Sequence, residues 1–169
     1  LGADAARGTA AEESPARFGL GDFITRCALR RPDLPADLWG SGDLDRRYPE
    51  DHLSAAVAAD CAAAGAALLN AAAPGDPEAE RAFLAALRRR RQREMLRIAW
   101  RDLSGRATLA DTLEDLSALA DACITTALHH LHQAFAAHYG EPRGADGRPQ
   151  QLVVVGMGKL GARELNFSS

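Results

Sequence analysis

Between Asp76-Pro77 and Gly140 one break, Ser104-Gly105, interrupts a long stretch of helical period. Asp76-Pro77-Glu78 opens it as a capped start, with Asp at the N-cap and Pro in the first helical position. Leu84, Leu87, Met95 and Ile98 keep helical spacing, flanked by Leu96, Trp100 and Leu103. Beyond the break, Thr108-Leu109-Ala110-Asp111 has the form of a capping box, with Asp in place of the longer Glu. Leu109, Leu113, Leu116, Leu119, Cys123, Leu128, Leu131 and Phe135 then mark one apolar side, up to the stop at Gly140. The bulk of the chain is therefore constrained to helix, and abundant alanine favours it further.

Upstream, Ser14-Pro15 marks a helix start, and Phe18, Phe23, Ile24, Cys27 and Leu29 outline an irregular first helix ending before Pro32. Pro32 to Tyr48 reads as a connector or short helical turns, with Leu34, Leu38 and Trp39 as anchors. Pro49, Glu50 and Asp51 start another helix, which runs to about Ala72 and stops at Pro74-Gly75. Its run from Ala55 to Ala73 is apolar but alanine-rich and contains Asp60, so a buried soluble helix is preferred to a membrane span. Residues 1–14 are Ala, Gly and acidic residues and are expected to be disordered. The chain starts at Leu1 with no basic-then-apolar leader, which suggests a fragment or a processed form.

The net charge of −3 argues against nucleic acid or an anionic membrane as a global partner. Cys27, Cys61 and Cys123 are odd in number and far apart, as expected of reduced thiols in a cytoplasmic protein. Residues 141–150, with Gly147-Arg148-Pro149, read as a linker. From Leu152 the period changes. Leu152-Val153-Val154-Val155 reads as a buried strand, followed by a glycine turn, a short polar helix and a second strand. The expected fold is thus α+β: a helical region over 15–140, then the first strand-turn-strand of a sheet over 151–169.

Gly156-Met157-Gly158-Lys159-Leu160-Gly161 formally matches G-x-G-x-x-G after a strand. Glycines there let backbone N–H groups approach a phosphate, and a helix N-terminus favours negative charge. The dinucleotide version needs an acid about 20 residues on, and only eight residues follow Gly161. It is not a Walker A loop, since Lys159 is followed by Leu160. The plainer alternative is a turn that allows tight strand–helix packing.

The longer run from Gly156 to Ser169, Gly-Met-Gly-Lys-Leu-Gly-Ala-Arg-Glu-Leu-Asn-Phe-Ser-Ser, resembles the glutamate–ammonia-ligase adenylyltransferase family. Its members are bifunctional, with adenylyltransferase and adenylyl-removing halves. Arg93 to Leu103 and Asp115 to Ile124 look like the helices that precede that motif, and the resemblance covers most of residues 15–169. The Asn166-Phe167-Ser168-Ser169 ending is similar to the N-terminal, adenylyl-removing half. The resemblance implies a nucleotidyltransferase domain in which Leu160-Gly161-Ala162 faces nucleotide phosphates, although Ala162 departs from the usual Gly or Ser. With that turn, the candidate phosphate or nucleotide contacts are Gly156, Gly158, Lys159, Gly161, Ala162, Arg163, Ser168 and Ser169; the alternative for Lys159 and Arg163 is solvated charge on a surface helix, and for Ser168 and Ser169 the end of strand pairing. It also implies ATP or ADP, phosphate and Mg2+, with glutamine synthetase and a PII-type signalling protein as partners. The metal-binding Asp-x-Asp pair of that family would follow Ser169, so these 169 residues are expected to be inactive alone. The competing expectations are a non-catalytic helical interaction module and, third, a dinucleotide-binding oxidoreductase.

Two further clusters stand out. Arg88-Arg89-Arg90-Arg91-Gln92-Arg93 wraps its helix, which favours internal salt bridges or an acidic partner over nucleic acid. Arg91 lies on the line between Leu87 and Met95, so its stem is expected to be partly buried, and Glu94 with Arg97 forms a ready local pair. His129, His130, His132 and His138 make a zinc site conceivable, but without nearby cysteine or carboxylate they are the weaker candidate.

Overall fold

A computed structural model describes residues 15–71 and 75–167, the first six of them by backbone alone. Segment 1–14, residues 72–74, Ser168 and Ser169 lie outside the described residues. Six helices follow in order: α1 (Pro15–Arg30), α2 (Asp33–Ser41), α3 (His52–Leu69), α4 (Pro77–Leu103), α5 (Leu109–Tyr139) and α6 (Gly158–Gly161). Helices α3, α4 and α5 pack on one another as a bundle, and α1 and α2 lie against α4.

The helix ends follow from their caps. The Asp76 carboxylate accepts from the Glu78 and Ala79 N–H groups at 2.9 and 2.8 Å, with Pro77 next to it. Thr108 and Asp111 form a reciprocal capping box at the start of α5. Gly140 ends α5 at φ 87°, a backbone conformation that a side chain would oppose.

Leu53, Val57, Cys61, Gly65 and Leu68 of α3 recur at helical spacing and are buried against the neighbouring helices. This helix is long and apolar enough to cross a membrane by length and composition, yet here it forms the middle of the bundle core with Phe83, Ile98, Leu116 and Leu119. Gly65 leaves room for the His130 ring of α5, which meets Phe83 edge-on at 5.3 Å. A smaller core of Leu34, Leu38, Leu44 and Leu96 binds α2 to α4. Trp39, expected as an anchor, is instead exposed. All three cysteines are free.

Helix α4 buries charge as well as hydrocarbon. Arg90, Glu94, Arg97 and Arg101 recur at steps of four, three and four and are all buried. Glu94 accepts from Arg90 at 2.9 Å, from Arg93 at 2.8 Å and from Arg97 at 2.7 Å, and it has no exposure to water. Arg97 also reaches Asp115 of α5 at 2.7 Å, and its guanidinium carbon lies 3.9 Å from the Tyr48 ring centroid. Arg93 ties α4 to Asp37 and Asp43 at 2.5 and 2.7 Å. Burial, with Glu94 nearby, pushes the Tyr48 hydroxyl up to about 12. The arginine run therefore divides: Arg89, Arg90 and Arg93 turn to internal carboxylates, while Arg88 and Arg91 stay exposed. It is Arg90, not Arg91, that enters the core.

The α+β expectation is overturned. The described residues contain no strand, and the architecture is helical throughout. A strand exists only through a partner's hydrogen bonds, and residues 152–155 have none with any described residue. Val153 and Val155 are 75% and 76% exposed, so this apolar run is not buried either. The residues expected to form the second strand instead turn Leu165 and Phe167 onto the helical core. One isolated bridge, Arg143 with Pro149, pinches the loop before the run.

Candidate functional site

The glycine turn lies against α5. After the extended run, Gly158 takes φ 57° and begins the single turn α6. Gly161 closes that turn against the chain: a Cβ there would stand 2.6 Å from the Gly156 carbonyl oxygen. The exit has the two bonds of a Schellman closure, from Glu164 N–H to the Lys159 carbonyl at 2.8 Å and from Arg163 N–H to the Leu160 carbonyl at 3.2 Å.

The left-handed position of such a closure normally holds glycine, but here it holds Arg163, at φ 57°. Its side chain accounts for the exception. The guanidinium donates to Glu114 at 2.6 and 3.1 Å and to Asp121 at 2.9 Å, both on α5. Those acids are seven residues apart, hence on one helix face. The hydrogen bond from Arg163 holds the Glu114 carboxyl below its ordinary value. Leu165 and Phe167 then pack beside Met95, Leu116 and Cys123. Burial pushes the Cys123 thiol up to about 11, which keeps it a neutral packing group.

Between the turn and α5 lies an open hollow of about 550 Å3, lined by Asp121, Thr125, Leu128, Val154, Gly156 and Leu160, among others. Residues 152–160 donate no main-chain hydrogen bond to any described residue. Such N–H groups need water or a ligand. Gly156, Gly158, Lys159, Gly161 and Ala162 thus share one exposed turn: the N–H groups of Gly156, Gly158 and Lys159 are open, with the Lys159 side chain on the same turn, while those of Gly161 and Ala162 donate to the Met157 and Gly158 carbonyls at 3.4 and 2.9 Å. Arg163 is in the same turn but directed to α5. Ser168 and Ser169 are outside the described residues.

The chain matches the family model for glutamate–ammonia ligase adenylyltransferase over residues 18–169. It is 48% identical over 147 residues to the bifunctional glutamine synthetase adenylyltransferase/adenylyl-removing enzyme of Thioalkalivibrio sulfidiphilus, covering 87% of this chain and 14% of that protein. The chain belongs to the glutamate–ammonia ligase adenylyltransferase family. Enzymes of the same name from Nitrosococcus oceani and Pseudomonas aeruginosa are 43% and 42% identical, over 90% and 88% of the chain. The chain spans about 14% of the length of these relatives.

The donor set among the described residues does not fit magnesium. Among the described residues no group of three or more Asp, Glu, His or Cys side chains is placed to share a metal. The α5 acids beside the turn, Glu114 and Asp121, are bonded to Arg163. His130 meets the exposed His129 and the buried Phe83 edge-on, each at 5.3 Å, and burial lowers its pKa, so His130 serves as a packing group. Sequence reasoning missed Glu114 and Asp121. Their seven-residue spacing was visible, but the left-handed Arg163 that they hold was not.

Proposed function

We propose that residues 156–162 are the phosphate-contacting turn of the adenylyl-removing half of this family. The observation that supports it is the run of undonated main-chain N–H groups at Gly156 to Leu160, beside Lys159 and above an open hollow. Glycine at 156, 158 and 161 lets a phosphate reach the backbone, and free N–H groups with an ammonium hold its oxygens.

In the proposed reaction an inorganic phosphate oxygen attacks the phosphorus of an AMP–tyrosine diester on glutamine synthetase. The new P–O bond makes ADP, the bond to the tyrosine oxygen breaks, and that oxygen takes a proton. The turn's part is to bind and orient the attacking or departing phosphate. A PII-type protein as regulator, a cytoplasmic setting and use of magnesium belong to the same proposal.

These residues alone are then expected to bind phosphate without turning over. The test is calorimetric titration of the chain with phosphate, alongside an assay of ADP release from adenylylated glutamine synthetase. Saturable binding that weakens about tenfold in Lys159→Gln, with no ADP released, is the expected result. Binding that Lys159→Gln leaves unchanged contradicts the assignment of the turn, and ADP release contradicts the expected inactivity.

A further inference from the structure

A second hollow, of about 340 Å3, lies where α1 and α4 approach Phe167. Arg26 and Arg30 of α1 and Arg91 of α4 line it, together with Phe23, Gln92 and Phe167. No carboxylate does. Arg31 is also in its wall but is held by Asp33 at 3.1 Å.

The contrast with the rest of the chain is physical. Arg89, Arg90, Arg93, Arg97, Arg106 and Arg163 each end on a carboxylate of this chain. Arg26, Arg30 and Arg91 form no ion pair among the described residues. Arg26 and Arg30 are four apart on one helix, so their charges repel across a single turn. Three cations facing one concavity with no counter-charge in its wall among the described residues raise the local affinity for an anion. Guanidinium forks match phosphate oxygens, and they also stack on flat rings, as do the Phe23 and Phe167 side chains. The size suits a small organic ligand.

We propose that this hollow binds a nucleoside phosphate, with its phosphates on Arg26, Arg30 and Arg91 and its ring against Phe23 and Phe167. The site is separate from the glycine turn and does not depend on the function proposed for that turn. Phe167 immediately continues the segment that the turn opens, so a ligand here also fixes that segment against α1 and α4.

The test is titration of the whole 169-residue chain with ADP, in the absence of divalent metal, followed by residue-resolved 1H–15N spectra. Inorganic pyrophosphate and adenosine serve as probes of the two halves of the ligand. Saturable ADP shifts at residues 23–31 and 91–92 are expected, stronger than with pyrophosphate and absent with adenosine. The double variant Arg26→Gln/Arg91→Gln removes two exposed, unpaired charges, so it is expected to keep its helical circular dichroism and bind ADP at least about tenfold more weakly. Lys159→Gln should leave ADP binding at these residues unchanged. Absent shifts, shifts that survive the double variant, or shifts lost in Lys159→Gln overturn the site. Equal binding of pyrophosphate and ADP overturns the ring contact and with it the nucleoside assignment.

Discussion

Inside the bundle Glu94 gathers the guanidinium groups of Arg90, Arg93 and Arg97 with no contact to water, while residues 152–160 leave their main-chain donors open. Both regions are polar, but they meet hydrogen-bonding demand in opposite ways. On α4 partners four and three residues away on the same helix, plus Asp43 and Asp115, meet nearly all of it internally. Even there, Arg90 Nε and Arg97 NH1 are buried without a partner, so the network is not a pure gain in stability. It fixes how α2, α4 and α5 register. At the glycine turn the demand is left for something outside the described residues. The bundle's part there is indirect: Glu114 and Asp121 hold Arg163 and so hold the turn.

This comparison can be broken most forcefully at its buried end. Glu94→Ala removes the fully buried carboxylate that Arg90, Arg93 and Arg97 share, leaving the buried Arg97 with Asp115 as its remaining carboxylate, and we expect a loss of about 3–5 kcal/mol in denaturant unfolding. A loss below about 1 kcal/mol, within the range of exposed pairs, would show the network to be dispensable. Next in size is Gly65→Ala, whose added methyl overlaps the His130 ring. Overpacking should cost about 1–3 kcal/mol by the same measurement.

At the turn the expected stability effects shrink. Arg163→Gln should change stability by less than about 1 kcal/mol, because its carboxylate partners are solvated. The effect has a pH signature. The Glu114 carboxyl is held below its ordinary value of 4.5, so the contribution is present above that pH and is lost as pH falls through the lower, folded value. Denaturation of the two proteins across acid pH should converge at the low end. A difference that grows as pH falls would contradict the pairing. The smallest stability effect is expected for Gly161→Ala, within about 0.5 kcal/mol for the bundle. Its methyl strikes the Gly156 carbonyl, so shifts in the amide spectrum should nevertheless concentrate at residues 156–162.

How much of this was legible depends on how local each cause is. Caps were readable, because Asp76 with Pro77 and Thr108 with Asp111 act within four residues. The pair of Glu94 with Arg97 was readable for the same reason. The buried stripe Arg90, Glu94, Arg97 and Arg101 was not, since a binary pattern sends every charge to solvent and only the approach of α2, α3 and α5 reverses that. The strand at Leu152 failed in the opposite direction. Consecutive valines report local preference, whereas a strand needs a distant partner. At the candidate site, the glycine spacing was in the sequence. The left-handed Arg163 and the acids that hold it emerge only when α5 is in place, because glycine is the residue a closure of that kind ordinarily announces.

The most direct test of the open turn is residue-resolved 1H–15N titration of the chain with inorganic phosphate. Saturable shifts are expected at the amides of Gly156 to Leu160, diminished in Lys159→Gln, with the α3–α5 core unmoved. Amides in that turn that stay still at saturating phosphate would contradict the proposed role of the turn.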